Sequence, residues 1–237
     1  LSGDLIIIYF LWKAIFDSSP TEVVNGMTFT DTMIYLVLAS ALFSTMEMYV
    51  TWQMGRSVQS GNIVMDLLRP MGYTTYNLFV FSGNTLVSVF VNLIPTMVIV
   101  YLITSGGFAL SWNLLFFMAA VFMGTILNFF INFFVGIICF YTESIWGINI
   151  MKQVIVTLLS GVTIPIAFFA EPLKTIAYYL PFQSIYNAPL SVLLEGNPQP
   201  QALLTTLGMQ LFWCIVMTVL NKLFWKVSIR QITVNGG

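Results

Sequence analysis

Long apolar runs separated by short polar breaks fill this chain, and their lengths predict membrane-spanning helices. Met33 to Val50, Leu78 to Ile103, Leu114 to Tyr141, Ile145 to Phe169 and Leu203 to Leu220 each approach or exceed the roughly 20 residues that cross about 30 Å of hydrocarbon. Leu5 to Phe16 is shorter, and is expected to be the outer part of a first span that is clipped, which would set Asp4 deep in the membrane. Asn84, Asn92 and Pro95 interrupt the third span, and Ser105-Gly106-Gly107 closes it with a tight turn. The fourth is longer than a span needs and should tilt or project. Glu143 and Ser144 close it.

Three polar stretches change the pattern. Asp17 to Asp31 reads as a loop with the turn formers Pro20, Asn25 and Gly26. Between Ala170 and Pro200, the prolines 172, 181, 189, 198 and 200 cut pieces such as Ile176 to Leu180 and Leu190 to Leu194 too short to span. These are expected to be re-entrant or interfacial helices packed against the bundle. The third stretch, Gly61-Asn62-Ile63-Val64-Met65-Asp66-Leu67-Leu68-Arg69-Pro70, is a short amphipathic helix ended by Pro70. Ile63, Val64, Leu67 and Leu68 share one face, with Asn62, Asp66 and Arg69 elsewhere. A helix of about two turns is unstable alone in water. It must dock on something, either the headgroup layer or a partner.

The fold class is therefore an all-α polytopic membrane protein with six spans forming one domain over residues 1–237. Composition agrees, because 58% of residues are hydrophobic and 7% charged, against about 25% charged in a soluble domain. A net charge of −1 gives no case for nucleic-acid binding. Of the cations, Arg56, Arg69, Lys152, Lys222, Lys226 and Arg230 fall in segments of one side and only Lys13 and Lys174 on the other. That bias places both termini in the cytoplasm. No basic region precedes the first apolar run, so no cleavable signal peptide is expected.

Candidate chemistry is sparse. The chain has no histidine, and Cys139 and Cys214 both sit inside apolar runs, which argues against zinc sites, disulfides and thiol nucleophiles. The single Lys-Thr pair, Lys174-Thr175, lacks the glycines of a phosphate loop. No ATP hydrolysis is expected from this chain, and no metal. Glu47, Glu143 and Lys152 lie near the cytoplasmic boundary, where hydration is easy. Asn84, Asn92, Asn128, Asn132 and Gln210 lie in the middle of spans. Asn128 and Asn132 share a face with Thr125 and Gly124 among phenylalanines; this stripe suits either interhelical hydrogen bonds or an amphipathic cargo.

The succession Gly61-x-x-x-x-Asp66-Leu67-Leu68-Arg69-Pro70, Phe140-Tyr141-Thr142-Glu143, Ser160-Gly161-x-x-x-Pro165, Leu180-Pro181-Phe182, Pro189 and Gly236-Gly237 resembles the type-two class of ATP-binding-cassette (ABC) exporter permeases. More narrowly, it resembles a bacterial subgroup with a Leu-Leu-Arg-Pro loop. The resemblance runs from about Trp12 to Gly237. It implies a six-span permease of the bacterial cytoplasmic membrane, paired with a second copy or a sister permease. Two cytoplasmic ABC ATPase subunits would carry ATP and Mg, with no cofactor in this chain. Gly61 to Pro70 would be the cytoplasmic coupling helix between spans two and three, and the proline-rich segment would be the outer re-entrant helices between spans five and six. Asn128, Asn132, Pro181 and Phe182 would border the route of an amphipathic or lipid-like substrate, drug or peptide. An ion-coupled carrier or channel is the alternative, but it would need carboxylates near the midplane, where this chain offers at most Asp4.

Overall fold

In hydrocarbon every backbone N–H and C=O must be satisfied within the protein, so apolar runs of this length fold as helices. The computed structural model describes residues 2–104, 106, 108, 112–142, 145–195 and 199–231. Ser105, Gly107, Glu143, Ser144, Pro198, Gly236 and Gly237 lie outside them, and the Asp4 side chain is likewise not described. The chain opens with α1 (Ser2–Asp17), followed by a minute hairpin of β1 (Val23–Val24) and β2 (Met27–Thr28). Asn25 and Gly26 both take positive φ, 51° and 84°, between the strands, the backbone of a two-residue turn that favours Asn-Gly. The polar loop is thus partly paired, with Val24 opposite Met27.

The expected second span, Met33 to Val50, corresponds to one helix that ends a turn early, and a further helix begins where the span was expected to stop. α2 (Phe29–Thr45) begins on a capping box, in which Thr28 Oγ1 accepts from the Asp31 N–H at 3.1 Å and Asp31 Oδ2 accepts from the Thr28 N–H at 3.2 Å. The helical ladder stops at Met46 to Tyr49 and resumes as α3 (Val50–Gln59). Gly61, at φ +72°, turns the chain into α4 (Ile63–Leu67).

α5 (Tyr73–Ser88) and α6 (Ile94–Ile103) form one long run joined by a π-helical turn, Val89–Leu93. Pro95 explains that turn, because it has no N–H to return to Val91 and its ring crowds the preceding turn. α7 (Asn113–Ile138) is the longest unbroken buried helix and packs against α3, α5, α10 and α11.

The fifth run is shorter than expected. α8 (Ile145–Leu159) stops ten residues before Phe169. At Gly161 φ is +80°, and a Cβ there would stand 2.9 Å from Tyr35 Oη, so the residue that ends the helix has to be glycine. A 3₁₀ turn, Ile166–Phe168, leads into α9 (Glu171–Tyr179) and α10 (Gln183–Leu194). Pro181 separates these two helices, but Pro189 sits inside α10 and does not cut it. α11 (Pro200–Ser228) outruns its expected end at Leu220 by two turns. Its buried positions Leu203, Gln210, Met217, Asn221 and Ser228 repeat at seven- and four-residue steps, the seam of one helix laid along another. That other helix is α7.

Among the described residues, four stretches are long and apolar enough to cross a membrane: Phe29–Gln59, Tyr73–Ile103, Asn113–Ile138 and Pro200–Ser228. α1 and α8 are apolar but only 16 and 15 residues long, about 24 Å at 1.5 Å per residue.

Pro189 also explains a backbone-to-backbone contact between α10 and α7. Lacking an N–H, it leaves the Ile185 carbonyl without its usual partner, and that carbonyl faces Gly124 of α7. A Cβ at Gly124 would lie 2.9 Å from the Ile185 oxygen. Gly124→Ala should therefore lower stability by about 1–3 kcal/mol, read as a fall in the thermal midpoint in detergent. Gly83→Ala, at a position with nothing within 4 Å, should be neutral or gain up to about 1 kcal/mol.

Candidate functional site

The break between α2 and α3 leaves backbone groups inside the bundle without ladder partners, and each costs free energy unless another group meets it. The polar residues of the neighbouring helices gather there. Asn128 Nδ2 donates to the Met46 carbonyl at 2.7 Å, and Asn92 Nδ2 to Ser44 Oγ at 2.5 Å. On the far side of the break, Thr51 Oγ1 donates to the Asn132 carbonyl at 2.9 Å. The stripe of Asn128 and Asn132 is thus an interhelical fastening. Gln210 and Asn221 do the same for α11: Gln210 Nε2 donates to the Ala120 and Ser184 carbonyls, and Asn221 Nδ2 to Phe130. Asn84 alone of the mid-span amides is exposed.

The same two asparagines also border a cleft. A cavity of about 90 Å³ opens between the break, α7 and α8, and both Asn128 and Asn132 line it with Glu47, Trp52 and Lys152. Lys152 points into the bundle from the middle of α8 and donates to Asn132 Oδ1 at 2.5 Å.

Beyond α3, the short helix α4 is held as a block. Asp66 Oδ2 accepts from Ser57 Oγ of α3 at 2.8 Å, while its Oδ1 accepts from Arg69 Nη2 at 2.9 Å. The Arg69 guanidinium in turn lies 4.1 Å from the centre of the Tyr76 ring. The two charges thus join α3, α4 and α5 to one another. The apolar face divides. Ile63 is 2% exposed and packed in the core, Val64 and Leu67 are half-buried, and Leu68 is 75% exposed beside Met65 at 69%. Gly61, Arg69 and Pro70 are exposed at its flanks.

At the opposite end of α2 a larger vestibule, about 800 Å³, lies between the start of α2, residues 165–167, α9, α10 and α11. Asp31, Glu195, Tyr178, Tyr179 and Gln183 line it, without lysine or arginine. Its floor is a knot in which Tyr35 Oη sits 3.0 Å from the Gly161 carbonyl and 3.1 Å from Asn187 Oδ1. Pro181 and Phe182 are not among its lining residues: Pro181 is buried, and Phe182 packs on the core. The vestibule escaped sequence reading because its walls come from five separated segments. The break escaped it because Met46, Met48 and Tyr49 carry no helix-breaking signal; only Glu47 hinted at it.

Asn128→Leu should strand the Met46 carbonyl and cost about 1–3 kcal/mol, seen as a lower unfolding midpoint in detergent. An unchanged midpoint would mean that water, not Asn128, satisfies the break.

No curated protein matches this chain, and no solved structure does. The sequence profile described as ABC-2 family transporter protein matches residues 3–236. With that match running through every helix of an apolar bundle, the chain belongs to the ABC-2 family of transporter proteins, as a membrane-embedded permease component.

Proposed function

We propose that this chain is the permease of an ATP-driven exporter and that α4 is the element through which it receives its stroke. The observation that carries this reading is the state of α4: a five-residue helix, fastened by Asp66 and Arg69 to its neighbours, that still presents Met65 and Leu68 outward. Exposed apolar side chains on a rigid knuckle suit a groove on a partner. ABC-2 permeases imply ABC ATPase subunits. Those subunits would bind ATP and Mg, and closure of the ATPase pair would push α4 and, through Ser57, α3.

In this reading α1 and α8 join the four long runs to make six spans, α9 and α10 are the outer re-entrant pair, and both termini face the cytoplasm of a bacterial cell. The cation bias supports the orientation: with Lys152 seated inside the bundle, five cations remain on the α4 side (Arg56, Arg69, Lys222, Lys226 and Arg230) against Lys13 and Lys174. A second copy or sister permease would complete the route. The cargo, amphipathic or lipid-like, would leave through the vestibule.

The docking ridge differs from the one the periodicity suggests, since Ile63 serves the permease's own core. Leu68→Asp is therefore the informative substitution. It should abolish co-purification of the ATPase while the permease keeps its thermal midpoint. Recovery of the ATPase at wild-type stoichiometry would refute docking through α4.

A further inference from the structure

The cleft beside the α2–α3 break holds a charge that the fastening of the break does not require. Asn128 already satisfies Met46, and Asn132 is oriented by its own amide, which donates to the Asn128 carbonyl at 2.9 Å and to Asn128 Oδ1 at 3.0 Å. That orientation turns Asn132 Oδ1 toward Lys152 and takes one of the ammonium's three donors. The other two remain for whatever occupies the cleft. An ammonium in an apolar span costs several kcal/mol, so its presence on an inward face marks a ligand path by default.

We propose that Lys152 binds the oxyanion head of an amphiphile whose tail lies outside the cleft. Size selects the head: about 90 Å³ holds roughly three waters, enough for a carboxylate or phosphate and far below the several hundred Å³ of a whole-ligand pocket. The rest of the molecule has an apolar surface to follow, because Met151 and Ile155 are exposed on α8 beside Lys152, at the edge of the cleft face. Glu47, on the wall across from α8, lines the same space. It disfavours a multiply charged head and leaves a single negative charge as the best fit. Trp52 lines the cleft as well and reports on it optically.

This assignment rests on the exporter reading only in taking the amphiphile as cargo, and its test needs no ATPase. The permease is placed in phosphatidylcholine nanodiscs and titrated with dodecanoate, following the part of the tryptophan emission that Trp52→Phe removes. Saturable binding is expected, weakened about tenfold or more by Lys152→Gln, which keeps a donor for Asn132 but loses the charge, and kept within about threefold by Lys152→Arg. Dodecyl maltoside and dodecyltrimethylammonium should not compete. Acetate should bind far more weakly than dodecanoate. Equal affinity in Lys152→Gln of unchanged thermal midpoint, competition by the neutral or cationic amphiphile, or acetate binding as tight as dodecanoate would each overturn the proposal. None of those results would affect docking at Leu68, and loss of that docking would leave this binding intact.

Discussion

A helix broken inside a packed bundle must recover its hydrogen bonds from side chains, and the rest of this bundle is arranged around that need. Asn128 reaches from α7 to the Met46 carbonyl, and beyond the break it stabilises, α3 packs against α7 and α8. There α3 lies along the C-terminal half of α7. Thr51 bonds the Asn132 carbonyl there, and a Cβ at Gly136 would stand 2.9 Å from Met54 Sδ. The position of α4 follows from that of α3 through Ser57 and Asp66. A single amide on one helix thus sets where the far end of another helix emerges.

α7 takes this role because it is buried along most of its length and meets a different neighbour at each level. Near its start Phe117 and Val121 are in the core, at Gly124 it touches α10, and at Asn128 and Asn132 it fastens α2 and α3. Along one side it carries α11 through Gln210 and Asn221. Near its end, rings take over from amides: Tyr73 stacks on Trp225 at 5.1 Å between ring centres, with Phe133 and Phe140 edging the pair. Outside this spine the helices grade into exposed apolar surface, as in Phe90, Ile103, Leu204 and Phe212.

The class of fold was legible because the length of an apolar run is a direct measure of what hydrocarbon requires. So was the place of α4, punctuated by Gly61 and Pro70. What periodicity does not carry is the direction in which an apolar face turns: Ile63 and Leu68 share a face in the pattern, yet one is core and the other is surface. Hydropathy also fails where tertiary donors decide the backbone. Val162 to Phe169 is apolar enough to continue a span, but Gly161 and Tyr35 turn it aside. Pro189 looks like a breaker and is tolerated, because the carbonyl it orphans faces a glycine on α7 rather than lipid.

The absence of a side chain at Gly124 has a mechanical consequence. With backbone set against backbone there, α10 has no cushion of rotatable groups through which to slip against α7. The rim that α10 lends to the vestibule must ride with the spine instead of swinging as a separate flap. A displacement of α7 would therefore be passed to α10 at the vestibule rather than taken up between the two helices.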